Sequence, residues 1–255
     1  MKDDGVLFHA KHAYMPNFLG YCGPDDRGRI LEDLQDHRKD EALVSTLRQF
    51  EAAFPFLRLI ARSTGRDVFD YSVPEAYWIG NGLLERVPKE DFYNFSHREL
   101  RGKDPREVRK AFKGAGRTAI PHHTFYVMST YATSSVADGP SLSNTGAKKV
   151  TSLMDDCRIS WGKVRRVDGK ALLVEYSPVE LVDGSIGFGK PRTKRVAYDS
   201  AVRPFGEVKK GDEVSMHWNF ACEVLTERQV RNLSRFTSQD IDATNRILGS
   251  YSRRG

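Results

Sequence analysis

Near residue 157 the hydrophobic pattern changes period, and that change limits what the chain can fold into. Before it, apolar residues recur at three- and four-residue steps. Leu43, Leu47, Phe50, Phe54, Leu57 and Ile60 form one such stripe, the signature of amphipathic helix. After it, Arg158 to Val167 alternates with a period of two, Asp168-Gly169 is a hairpin signal, and Ala171 to Tyr176 is the return strand. Arg192 to Tyr198 and Glu213 to Trp218 are further strand candidates. Thr226-Glu-Arg-Gln229 has the capping-box form, so a helix should follow, with Val230, Leu233 and Phe236 facing the barrel. The fold class is α+β. A mostly helical N-terminal domain (1–132) precedes a linker or mobile loop (133–152) and a small closed or partly open β-barrel with a C-terminal helix (153–255).

Within the helical part, Gly28 to His37 is a short helix. Asp40 to Ser63 is a longer one, with a kink or break at Pro55. Pro74 suits the first turn of the next. Glu90 to Lys113 holds two helical pieces, separated near Gly102 and Pro105. His122 to Tyr131, HHTFYVMSTY, is β-branched and aromatic and reads as a strand. The Ser-, Gly- and Asn-rich run that follows reads as the linker.

Composition narrows the function classes. No apolar run in the 255 residues approaches the ~20 needed to span a bilayer. The three cysteines are widely spaced with no CxxC, which suits a reducing cytoplasm better than a disulfide framework. The formal net charge is +6, which favours polyanionic partners. Between Arg98 and Arg117, Arg98, Arg101, Lys103, Arg106, Arg109, Lys110, Lys113 and Arg117 outnumber Glu99, Asp104 and Glu107. That stretch is either a solvated face or a tRNA-binding footprint.

The second half resembles a known family. CRISWGKVRRVDGKALLVEY is similar to the opening of the HypC/HupF hydrogenase-assembly chaperones, and GDEVSMHWNFACEVLTERQ to their later Gly-Asp-x-Val, His, Phe-Ala run. The resemblance implies an OB-like barrel and a cysteine, here Cys157, that helps to hold an iron-cyanide-carbonyl fragment as cargo. Two departures stand out. Cys157 is internal, where the family's cysteine is N-terminal, and Trp161 replaces the family's proline. Cys157 then reads equally as a buried small hydrophobe in the first strand, and His217 as a structural histidine. The whole chain, with its LGYCGPD segment and later His-His, is also similar to the seryl-tRNA-dependent seryltransferase family of valanimycin-type azoxy-antibiotic biosynthesis.

Chemistry in the first domain centres on Phe18-Leu-Gly-Tyr-Cys22-Gly-Pro-Asp-Asp26. A cysteine just before a helix has its thiolate favoured by the helix dipole, so Cys22 is the candidate nucleophile, with His123 or His122 as base. The alternatives are Cys22 as a plain turn residue and His123 as a direct general base. Tyr21, Asp25, Glu75 and Asn81 are the candidate substrate contacts, with Glu75, Tyr77 and Asn81 lining a pocket on one side of a helix. His9, His12, His122, His123 and Glu75 are potential ligands, but HExxH and CxxC are absent, so neither metal nor cofactor is expected.

Two activities follow. One is an acyltransferase that moves an amino acid, such as serine, from aminoacyl-tRNA to a small amine or hydroxylamine acceptor in natural-product biosynthesis. The other is a non-enzymatic accessory in [NiFe]-hydrogenase maturation, with a protein partner at the barrel. Cys22→Ala should abolish the first, and Cys157→Ala the second.

Overall fold

The computed structural model describes residues 4–26, 28–99, 115, 118–137, 144–182, 185–199 and 208–252. The architecture is α+β, a helical layer joined to a closed five-stranded barrel with a long helix after it. Among the described residues no helix is long and apolar enough to cross a membrane.

Helix α1 (Gly5–Phe18) is the pillar between the two parts. Asp4 caps it by accepting from the Val6 amide at 2.9 Å. Its buried residues lie all round the helix and include His9, Lys11 and His12, as expected of a helix covered on every side. It meets α5 on one side and strands β6 and β7 on the other. The helical layer continues with α2 (Arg29–Gln35), α3 (Glu41–Arg48), α4 (Phe54–Thr64), α5 (Ser72–Trp78), α6 (Leu83–Arg86) and α7 (Lys89–Glu99). The expected interruption at Pro55 is present: α3 and α4 are separate, and the proline occupies the first turn of α4.

Two segments differ from expectation. His122 to Tyr131 is no strand; helix α8 (His123–Ala137) runs through it. Its Phe125, Val127 and Met128 are buried, and packing overrides their strand propensity. The stretch read as a linker is helical at both ends, in α8 and in α9 (Asn144–Cys157). Met154 and Asp155 on α9 are buried, and the element packs on α8 and β3. The basic stretch (Arg101, Lys103, Arg106, Arg109, Lys110, Lys113, Arg117) lies outside the described residues.

The strands are β1 (Ser160–Asp168), β2 (Ala171–Tyr176), β3 (Val179–Val182), β4 (Ser185–Phe188), β5 (Arg192–Ala197), β6 (Glu213–His217) and β7 (Phe220–Val224). The barrel order is β1-β2-β5-β7-β6, with β3 and β4 forming a separate hairpin. All its pairings are antiparallel except β5 with β7, which is parallel. Val164, Leu172, Val174, Val196, Val214 and Met216 are buried in it. Helix α10 (Glu227–Ser252) starts at the expected capping box, with the Gln229 carboxamide oxygen accepting from the Thr226 amide at 2.9 Å. It packs chiefly along α8, not on the barrel, because its apolar stripe meets the helical layer; Phe236 lies against Gly80. One hydrophobic core runs from Val6 through the barrel to Ile247.

Candidate metal centre

Three side chains from distant parts of the chain converge where the helical layer meets the barrel mouth. His123 opens α8, Cys157 closes α9 and His217 closes β6. Their ligand atoms all lie within 4.8 Å of one another. A tetrahedral ion bound at ordinary Zn–N and Zn–S distances needs its donors about 3.5 Å apart, so the set has to contract by up to about 1.3 Å to hold one.

Local structure explains each position. The end of α9 is fixed by Asp155, whose Oδ1 accepts from Arg158 Nε at 2.9 Å and the Val179 amide at 2.8 Å, and whose Oδ2 accepts from the Tyr176 hydroxyl at 3.1 Å. Arg158 is fully buried and also donates to the Ser177 carbonyl at 3.0 Å. His217 precedes a two-residue turn whose members, Trp218 and Asn219, have φ of 50° and 58°. Positive φ is unusual for a residue as bulky as tryptophan and marks a position held by its surroundings. Here the Trp218 amide donates to the Asp156 carbonyl at 2.9 Å, tying the turn to α9.

The hydrogen bonds settle the tautomers. His217 donates from Nδ1 to the His12 carbonyl at 2.7 Å, so its Nε2 carries the lone pair, and that buried atom has no hydrogen-bond partner. His123 donates from Nε2 to the Cys157 carbonyl at 2.9 Å. Its Nδ1 therefore carries the lone pair, which accepts from the Tyr77 hydroxyl at 3.1 Å. Tyr77 also faces the Ala52 carbonyl at 3.4 Å, an acceptor to which it can turn when Nδ1 is taken by a metal. Each imidazole thus gives one ring N–H to a main-chain carbonyl, an arrangement also found around metal-bound histidines. Trp78 walls the site, with its ring 4.5 Å from that of His123 and 5.7 Å from that of His217.

Burial, followed by the charge of His217, lowers the pKa of His123 well below the usual value; burial lowers His217 to about 4. Both are neutral at pH 7, the form that binds metals. The Cys157 thiol is pushed up to about 12, mainly by burial, with the neighbouring Trp218 side chain opposing. It is not a buried strand residue as expected: it ends a helix, half-exposed, because the chain enters β1 only at Ser160.

The other expected site residues fare differently. Cys22 lies well before α2, too far for the helix dipole, and its thiol is pushed up to about 12 by burial and then by Cys157; the expected activated thiolate is not formed. His122, just before α8, is fully buried against α10, with Nδ1 2.5 Å from Asp240 Oδ2, and is not in the ligand cluster. Glu75 and Asn81 bond to each other, and Glu75 also to α10. Asn81 donates to Glu75 Oε2 at 2.9 Å, while Glu75 Oε1 accepts from Arg228 at 2.9 Å and Gln229 at 3.2 Å, clasping α10 to α5. Tyr21 and Asp25 are exposed. Of His9, His12, His122, His123 and Glu75, His123 alone belongs to the cluster. His9 Nδ1 accepts from Trp78 at 2.8 Å, and His12 donates to the Phe8 carbonyl at 2.9 Å. Cys157 was expected to hold a metal fragment only through the chaperone resemblance and His217 was read as structural; the structure brings both beside His123.

A model for a family of unknown function, DUF6390, matches residues 1–251. The chain belongs to the DUF6390 family. No curated protein and no solved structure matches it. The DUF6390 match takes in the helical layer, the barrel and all three clustered side chains, so helices and barrel form one family unit.

Proposed function

We propose that this DUF6390 member binds one late transition-metal ion, or a metal fragment, at His123, Cys157 and His217, as an accessory in metalloenzyme assembly. The single observation behind this reading is the convergence of three ligand atoms within 4.8 Å. The paired imidazole-to-carbonyl hydrogen bonds support it, since they orient both rings before any metal arrives. One thiolate and two imidazoles suit zinc, iron or copper and not calcium or magnesium. Three protein ligands leave a coordination position open, as acceptance and hand-over of a metal require. The likeness of the Cys157 and His217 segments to hydrogenase-assembly chaperones agrees with such a role. Aminoacyl transfer through Cys22 is less favoured, because Cys22 lies well before α2 and lacks the helix N-terminus expected to activate it.

The test is titration of the metal-free protein with Co(II) and Zn(II), read by absorbance and calorimetry. One equivalent should bind, and Cys157→Ala, His123→Ala and His217→Ala should each abolish tight binding while circular dichroism stays native. Wild-type protein that binds neither ion, nor carries metal when isolated, would overturn the reading.

A further inference from the structure

A second cysteine, Cys22, lies on a separate segment fastened beside this centre, outside the set of three ligand atoms that lie within 4.8 Å of one another. Residues 19–26 leave α1 and fold back over its end. The Tyr21 amide donates to the Pro16 carbonyl at 2.8 Å, and the Asn17 side chain donates to the carbonyls of Cys22 at 3.1 Å and Pro24 at 2.7 Å. Gly20 and Gly23, with φ of 75° and 84°, make the reversals on either side of Cys22. At Gly23 a Cβ would come within 2.6 Å of the Phe50 ring, so this backbone course is fixed by packing.

The segment is fastened to the barrel beside the metal ligands. The Tyr21 ring stacks on Trp218, with centroids 4.2 Å apart and planes at 16°. Tyr21 precedes Cys22, and Trp218 follows His217. One stack therefore brings the cysteine's neighbour onto the ligand's neighbour. The Cys22 side chain is half-buried against the main core. Burial first, and then the Cys157 thiol, disfavours ionisation of Cys22.

We propose that Cys22 is the fourth, displaceable ligand of the centre, delivered by the segment that Tyr21 latches onto Trp218. The inference rests on the metal-binding reading above. With Cys22 bound, the donor set becomes two thiolates and two imidazoles, the closed tetrahedral set that suits Zn(II), Co(II) or Fe(II). As the Cys22 sulfur binds, its proton passes to solvent and one water leaves the ion; no electron is transferred. Tyr21 is 61% exposed despite its stack, so the latch is reachable from outside. Lifting it reopens one coordination position and leaves the other three ligands in place.

Co(II) is the probe. Wild-type protein should show tetrahedral d–d bands and the sulfur-to-cobalt charge transfer of two thiolates. Cys22→Ser should keep one-to-one stoichiometry, lose half of the charge-transfer intensity, and release Co(II) to a chelator at least about tenfold faster. Tyr21→Ala should keep the full spectrum and release the ion faster than wild type. In wild-type protein alone, bound metal should protect both Cys22 and Cys157 from alkylation, read by peptide mass spectrometry, which needs no variant to fold. Co(II) bound with Cys22 still alkylated at the metal-free rate, or a Cys22→Ser spectrum equal to wild type, would overturn the proposal and leave the three-ligand site standing. Absence of any Co(II) binding by wild type would overturn both.

Discussion

The ammonium of Lys11 meets the carboxylate of Glu223 where α1 crosses β7, with side-chain exposures of 0% and 8%. The pair joins the helical layer to the barrel inside a continuous core. Removing one partner of a buried pair strands the other charge, so Lys11→Met should cost about 3–5 kcal/mol. The double variant Lys11→Met, Glu223→Leu should recover most of that loss. Urea unfolding of the four species measures it, and each should unfold in a single transition, because helices and barrel share one core.

Stability should fall as the solution is acidified below about pH 6.5. His9 is held neutral by burial, its pKa lowered to about 3. The unfolded chain therefore binds a proton here that the folded protein refuses between roughly pH 6.5 and 3, and stability is lost as pH falls through that window, by about 1.4 kcal/mol per pH unit for one group. Asp240 works in the opposite sense. Its carboxyl is raised to about 6 by burial, so the folded state holds the extra proton between roughly pH 4 and 6, and there stability falls as pH rises. His9→Gln keeps an acceptor for the Trp78 indole and should flatten the acid limb by one proton. Denaturant midpoints of metal-free protein from pH 5 to 7 check this.

Gly80 has φ of 90°, and a Cβ there would lie 2.2 Å from the Phe236 ring. Its carbonyl also accepts from Asn232 at 2.9 Å. Gly80→Ala combines left-handed strain with overpacking and should cost at least about 2 kcal/mol, read as a lower Tm. Phe236→Leu in the same chain should return part of it.

Glu75 is the buried carboxylate of the clasp between α5 and α10, and Arg228 reaches it from the surface. Glu75→Ala leaves Asn81 and Gln229 without that acceptor and should destabilise by about 3 kcal/mol. Since α10 braces α8, which carries His123, metal affinity should weaken as well, checked by the same Co(II) titration.

Local chemistry made much of the fold legible. Asp168-Gly169 marked the β1-β2 hairpin, Thr226 and Gln229 the start of α10, and Pro55 the break before α4, because each acts through neighbours in sequence. His122 to Tyr131 misled because its residues favour strand in isolation, while burial between α10 and the core makes them helix. The candidate centre was harder to see. His123, Cys157 and His217 come from two helix ends and one strand end, and no spacing rule joins such positions. Cys22 stands out in the sequence for the turn around it, whereas the Tyr21–Trp218 stack beside it joins residues far apart in the chain.

The order of the ligands along the chain also schedules the centre's assembly. During synthesis Cys22, His123 and Cys157 emerge before the strand that brings His217, and α10, the brace of α8, follows later still. A nascent chain can offer a metal only fragments of the coordination sphere. Under the proposed reading, the complete set of His123, Cys157 and His217 exists only once β6 is in place, so tight metal binding would report a folded barrel.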